Sequence, residues 1–251
     1  MKGKIKLYTE NCIDTLKKLE NNSVDHCITD PPYNISGNEH RKEIGWYKSN
    51  KLWSKDKKFQ KISEEWDKFS QDEYFDFTIQ WLQEVKRVVK DNGNIVIFGT
   101  YHNIYKIGFI ADLLELKIIN SIVWYKRNAF PNITQRMLCE STEQAIWCCN
   151  NTPKKATNWT FNYDALKDLT ENKKQMRNMW DIPMTKQSER SEGKHPSQKP
   201  LEVAKRLILG LSDVGDTIID PFAGSGTFLV ASKMHGRNAI GIEKIKEYSD
   251  L

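Results

Sequence analysis

The chain has 251 residues, 39% of them apolar, and carries 38 Lys and Arg against 33 Asp and Glu for a formal net charge of +5. That length suits one large α/β domain or a domain with a substantial insertion, and no apolar run approaches the roughly 18 residues that a membrane span needs. The opening MKGKIKLYTENC lacks the apolar stretch of a secretory signal, so a soluble cytoplasmic protein is expected, with a charge that favours a polyanionic partner.

The first buried strand is predicted over 24–29, VDHCIT, and it runs into TDPPYN at 29–34. Two prolines can neither continue a ladder nor start a helix freely, so this segment is wanted for its chemistry or its shape. Residues 34–66 are polar, with cations outnumbering acids between His40 and Lys61 and with Trp46, Tyr47, Trp53 and Phe59 interleaved. Such a mixture is either a solvated face or a surface where cations meet phosphates and rings meet bases. A helix follows over 74–90, its apolar face set by Phe75, Ile79, Leu82, Val85 and Val89 and its end by Asp91-Asn92-Gly93.

Strands are predicted at 94–100, 117–126 and 143–149. Residues 150–198 are again polar and carry Trp159, Phe161, Tyr163 and Trp180. A second amphipathic helix spans 201–212 after Pro200, and strands at 216–220 and 238–243 enclose a glycine-rich turn. Several strands are apolar throughout, as expected when both faces are buried, and their alternation with helices predicts a doubly wound, mostly parallel α/β sheet. The five cysteines show no CxxC pair and the histidines no HExxH spacing, so no metal site is expected.

Residues 216–227, DTIIDPFAGSGT, place an acid at a strand end and glycines before the helix FLVASKM. The next strand ends in Glu243, 23 residues beyond Asp220, where nucleotide-binding folds put the acid that takes the ribose hydroxyls. No Gly-Lys-Ser/Thr and no third glycine provide a phosphate cradle. An adenosine ligand without phosphate, such as S-adenosylmethionine, therefore fits better than a nucleotide; the alternative is a tight turn with no ligand.

In sequence order, TDPPYN at 29–34, KHPSQKP at 194–200 and DPFAGSGT at 220–227 resemble the motifs of the β group of amino DNA methyltransferases. The resemblance implies a Rossmann-like sheet in which the catalytic motif precedes the cofactor motif in sequence and meets it in space. It implies that Asp30, Pro31, Pro32 and Tyr33 are catalytic. An exocyclic amino nitrogen is a poor nucleophile because its lone pair is delocalised; hydrogen bonds accepted by the Asp30 carboxylate and the Pro31 carbonyl localise it. Tyr33 then offers a stacking face for an extruded base. For the cofactor, S-adenosylmethionine, the resemblance implies Asn11, Cys12, Asp30, His195, Ser197, Lys199, Asp220, Phe222, Gly224, Ser225, Gly226, Thr227 and Glu243. Asn11 stands where the family often has Asp, and Lys199 could equally lie on a solvated loop.

The Asp that opens DPPY points to adenine N6, where Ser would point to cytosine N4. YHNIY (101–105), WYKRNAFPN (124–132), FNYDALKDL (161–169) and KQMRNMW (174–180) are similar to adenine enzymes of the DpnA type, which act on GATC. The element at 124–132 also resembles the GANTC group. One catalytic domain over 1–251 is expected, with 34–66 as a basic aromatic insertion and 130–195 as the target-recognition region. Within or beside the latter, Lys126, Asn128, Asn132 and Arg136 are candidate DNA contacts, since Arg and Asn read bases and cations meet phosphates. DNA is the expected partner, which would associate the protein with the nucleoid, and a homodimer and a cognate restriction endonuclease are partners the resemblance allows. Two alternatives stand beside this reading: a cytosine-N4 enzyme, and a nucleic-acid-binding protein that has lost turnover. The chain stops eight residues past Glu243, short of the fuller terminal helix usual in the family, which is expected to weaken packing beneath the cofactor strand.

Overall fold

The structure, a computed structural model, describes residues 3–34, 67–132, 135–151, 158–190 and 197–250. His195 and almost all of the basic aromatic segment 34–66 lie outside the described residues. Among the described residues, eight strands form one sheet: β1 (Ile5–Tyr8), β2 (His26–Thr29), β3 (Asn94–Gly99), β4 (Lys117–Tyr125), β5 (Thr142–Cys149), β6 (Met179–Asp181), β7 (Thr217–Asp220) and β8 (Asn238–Ile242). Their order across the sheet is β1-β8-β7-β2-β3-β5-β4-β6. All neighbouring pairs are parallel except those of β5, which runs antiparallel to both β3 and β4. This is the Rossmann-like, mostly parallel sheet expected from the sequence.

The central strands HCIT and NIVIFG are buried along their whole length, which explains why they read as apolar runs without alternation. The strand period of two still divides them. Cys27, Ile95, Ile97, Cys148 and Ile219 point to one face, where α1 (Cys12–Lys18), α2 (Gln71–Val88) and α3 (Ile104–Leu113) pack through Leu16, Trp81, Leu82, Val85, Ile107 and Ile110. Ile28, Val96, Phe98, Ala145, Trp147 and Ile218 point to the other. There α5 (Leu201–Leu211) and α6 (Thr227–Met234) bury Val203, Ala204, Leu207, Ile208, Phe228 and Ala231. Two shorter helices, α4 (Tyr163–Asp168) and α7 (Lys246–Ser249), complete the fold.

The helix predicted over 74–90 begins earlier, because Ser70 and Glu73 form a reciprocal capping box that fixes its first turn. Its fully buried face is Tyr74, Thr78, Trp81, Leu82, Val85 and Val88. Phe75 and Ile79, which the sequence places on the apolar face, are only half buried against the same cluster. The face is thus turned by about one residue from the predicted one, and the polar Thr78 on it is satisfied by donating to the Tyr74 carbonyl at 2.7 Å.

Candidate active site

Parallel strands bring their carboxyl ends to one edge of the sheet, and the site grows from three of them. Strand β2 delivers Asp30 to Tyr33, β7 delivers Asp220 and the glycine turn, and β8 delivers Glu243. Because β2 and β7 are hydrogen-bonded neighbours, motifs about 190 residues apart in sequence become adjacent. Thr29 Oγ1 donates to Asp220 Oδ1 at 2.7 Å, tying the two strand ends together.

After β2 the chain cannot form a regular element, and its turn is held by side chains. Asn34 has φ 55°, a left-handed conformation that Asn tolerates, and its amide donates to Asp67 Oδ1 at 2.5 Å. The Pro32 carbonyl accepts from the buried Tyr74 hydroxyl at 2.8 Å, and Tyr74 in turn accepts from Asn103 at 3.1 Å. Among the described residues nothing donates to the Pro31 carbonyl, so it keeps its lone pairs for another partner.

Beyond β7, Gly224 (φ 51°) and Gly226 (φ 75°) adopt left-handed conformations that a side chain would strain. Gly226 stands at the N-terminus of α6, and a side chain built on it would find only a distant Leu229 methyl at 3.9 Å. The space over the turn is therefore open to a ligand. The Gly224 amide donates to Glu243 Oε2 at 2.9 Å and the Ile245 amide to Oε1 at 2.8 Å. Burial raises the Glu243 carboxyl and these amides pull it back, with the net direction upward.

Asn11 caps α1, its Oδ1 accepting from the Ile13 amide at 2.9 Å and more distantly from Asp14. Asparagine makes this cap as well as aspartate would. The neighbouring Cys12 thiol is pushed up to about 12 by burial and stays uncharged. Asn11, Cys12, Phe222, Gly224, Ser225 and Glu243 line a cleft of about 530 Å³ together with Asp30 to Tyr33, Ser197, Lys199, Asp220 and Thr227. Its volume is that of a typical small-molecule site. A carboxylate beside an open glycine turn, an aromatic ring at Phe222 and no phosphate cradle fit S-adenosylmethionine, whose ribose Glu243 would hold and whose methionine end would lie toward Ser197.

Asp220 itself is 1% exposed. Burial is the main cause that lifts its carboxyl to about 7, opposed by Thr29 and the Phe222 amide and assisted by the charges of Asp30 and Glu243. A carboxyl raised in the folded state contributes stability that is present below its unfolded value near 4 and lost as pH rises through about 7. Asp220→Asn keeps the acceptor for Thr29 and cannot ionise. The variant is expected to gain on the parent as pH rises from about 4 to about 7, by no more than about 1.4 kcal/mol per pH unit, and to hold that gain above about 7; denaturant melts from about pH 4 to about pH 8 measure it.

The Asp30 to Tyr33 segment faces a buried ion cluster. Lys199, for which a solvated loop was open, is 3% exposed, and its ammonium bonds to Asp30 Oδ2. It also lies 3.2 Å from Glu143 Oε2 and 3.0 Å from the Tyr33 hydroxyl. The Tyr33 hydroxyl donates to Asp30 Oδ1 and sits 3.3 Å from Glu143 Oε2. Lys126 closes the cluster at 3.3 Å from Glu143 Oε1. Burial pushes the Asp30 carboxyl up more than Lys199 pulls it down, and Glu143 adds to the rise. For Glu143 burial also acts upward, yet the two lysines prevail and hold it below its ordinary value.

Of the candidate DNA contacts, Lys126 is thus turned inward onto Glu143. Asn128 accepts from the Met184 amide at 2.8 Å and braces two loops. Asn132 is half buried and Arg136 exposed in the connection between β4 and β5. Glu143 was not singled out by sequence. It opens an apolar strand, and only the antiparallel direction of β5 brings that strand's first residues to the edge where the parallel strands end.

Residues 24–251 match the N6/N4 type of DNA methylase family. The chain is 38% identical over 248 residues to the Type II methyltransferase M2.DpnII of Streptococcus pneumoniae, spanning 98% of this chain and 87% of that protein. It is 36% identical to the Type II methyltransferase M2.MboI of Moraxella bovis over 98% of this chain and 85% of the other. Among solved structures, M1.HpyAVI in complex with SAM matches with a TM-score of 0.68 at 27% identity, covering 97% and 95% of the two chains. The cytosine-N4-specific PvuII DNA methyltransferase matches with a TM-score of 0.71 at 16% identity over 99% and 84%, a likeness of fold.

Proposed function

This chain belongs to the N6/N4 DNA methylase family and is an S-adenosylmethionine-dependent DNA methyltransferase, and from that premise we propose that it methylates the N6 amino group of adenine within GATC. The observation that carries the proposal is the meeting of Asp30 and Pro31 with Glu243 in one cleft, across the Thr29 to Asp220 bond. Aspartate at position 30 supports adenine, and the segments at 101–105, 124–132, 161–169 and 174–180 support GATC.

S-adenosylmethionine, when bound, supplies a methyl group already activated on a sulfonium. The chain's own task is to prepare the nucleophile and hold it in line. Asp30 and the Pro31 carbonyl accept the two hydrogens of the amino group and localise its lone pair. The Pro31-Pro32 backbone fixes their separation and removes amide donors that would compete. The base must leave the duplex to reach them, and Tyr33 supplies a face for it. DNA is the partner; a restriction endonuclease of the same specificity and self-association are extensions of the proposal that rest on the motifs alone.

The test is to incubate the protein with labelled S-adenosylmethionine and duplex DNA, digest to nucleosides and identify the labelled product. Label in N6-methyladenine, lost when GATC is removed from the duplex, is the expected result. Label in N4-methylcytosine would overturn the base assignment, and none at all would favour a binding protein. Tyr33→Ala is expected to lower kcat/KM by about 1–3 kcal/mol, the worth of one base stack. Tyr33→Trp should recover part of that loss in the same assay, and an alanine variant as fast as the parent would remove the stacking role.

A further inference from the structure

The two acceptors that a target amino group needs are not equally available. Among the described residues nothing donates to the Pro31 carbonyl, whereas both oxygens of Asp30 already hold a donor, Oδ2 the Lys199 ammonium and Oδ1 the Tyr33 hydroxyl. Each Asp30 oxygen keeps one lone pair, but an amino group that takes the one on Oδ2 sits beside the Lys199 ammonium, whose charge opposes the positive charge that develops on the nitrogen as it is methylated. Lys199 is the donor that matters, because its charge is buried and must stay paired wherever it goes. Glu143 Oε2 already lies 3.2 Å from that ammonium, and Lys126 holds the other Glu143 oxygen. Phe98 lies beneath the ammonium at 5.3 Å and offers no competing acceptor.

We propose that Glu143 is a positioning residue for methyl transfer: it takes over the Lys199 ammonium when an extruded base brings its amino group to Asp30. Lys199 is shared between two carboxylates in the free protein and belongs to Glu143 in the complex with a flipped base. The ammonium thereby moves off the carboxylate that the amino group approaches, and Glu143 makes that move inexpensive. This rests on the reading of the site as an amino methyltransferase.

The charged and titratable groups around Asp30 make the idea testable by pH. They are Lys199 ahead of α5, Glu143 on β5, Lys126 after β4, Tyr33, Asp220 at the end of β7 and Tyr74 on α2. Lys199 favours the ionised Asp30 and Glu143 opposes it. If Glu143 acted only through that field, Glu143→Gln would leave Asp30 more fully ionised and would not slow the reaction. If it receives the ammonium, the same change strands Lys199 on Asp30.

The experiment compares single-turnover methylation of duplex DNA from pH 6 to 9 by the parent, Glu143→Gln, Lys199→Met and the double variant, with cofactor Kd and Tm recorded for each. N6-methyladenine from the parent establishes the underlying reading; its absence would overturn that reading instead. Glu143→Gln should slow transfer at least about 100-fold, with cofactor Kd unchanged. Adding Lys199→Met should recover at least tenfold of that loss, since no ammonium remains to occupy Asp30. Lys199→Met alone should move the acidic limb of the rate profile to higher pH, and the double variant should bring it back. A double variant as slow as Glu143→Gln, or losses that simply follow Tm, would overturn the proposal. Should Glu143→Gln fail to fold, Glu143→Asp keeps the charge one methylene further away; it should slow transfer severalfold, and a full parental rate would overturn the proposal as well.

Discussion

Asp30→Ala is expected to abolish methyl transfer, by about 10³-fold or more, while cofactor affinity changes little. The magnitude follows from what is removed. Preorganised groups aimed at charge developing in a transition state are worth about 10²–10³ each in rate, and in the proposed reaction the same carboxylate also localises the lone pair that attacks. Solvent cannot replace it, because Asp30 lies beneath Tyr33 and Lys199 in a largely buried cluster. Cofactor binding should survive, because the cleft at Glu243 and the glycine turn is built from β7 and β8. One competing explanation is structural. Removing Asp30 leaves Lys199 and Lys126 facing Glu143 alone, and breaking a buried pair typically costs about 3–5 kcal/mol of stability. Asp30→Asn separates the two effects, since it preserves shape and one acceptor oxygen but not the charge. Both variants should bind cofactor in calorimetry, with Asn the more stable by Tm, and both should be slow. Retained turnover in either would remove Asp30 from its role.

Much of this site was legible in sequence because its parts are local. A strand ending in Asp-Pro-Pro and another ending in an acid before Gly-Ser-Gly each announce a chain reversal at a strand end. The six predicted strands agree with β2, β3, β4, β5, β7 and β8 within a residue or two, since apolar runs between turn signals leave little freedom. What escaped notice was set by partners distant in sequence. Strands β1 and β6 are sheet edges, and Ile5 and Leu7 of β1 are exposed, so neither shows the run of a buried strand. The position of Glu143 depends on the direction of β5, which no local pattern encodes. The inward turn of Lys126 depends on Glu143 in its place. Polar residues that serve one another in a cluster carry no periodic signal, and they are the part of the site that only the tertiary structure brings into view.

Glu243→Ala is expected to weaken S-adenosylmethionine binding at least about 100-fold, the worth of one to two hydrogen bonds to a charged acceptor. The residue is well placed for this. Its backbone amide donates to the Tyr8 carbonyl at 2.9 Å, which fixes the carboxylate at the end of β8. The side chain accepts from the Gly224 and Ile245 amides, so each oxygen retains a lone pair for a ribose hydroxyl. The same contacts raise a rival account, in which Glu243 merely braces the glycine turn and its loss disorders the cleft. The two accounts differ in what the ligand must contain. If the carboxylate holds the ribose, deleting a ribose hydroxyl from S-adenosylhomocysteine should cost the parent protein affinity and cost Glu243→Ala almost none. If Glu243 only braces the turn, the deoxy analogue should lose the same affinity in both proteins. Calorimetric Kd values for the two ligands on the two proteins decide it, and equal losses would take the ribose contact away from Glu243.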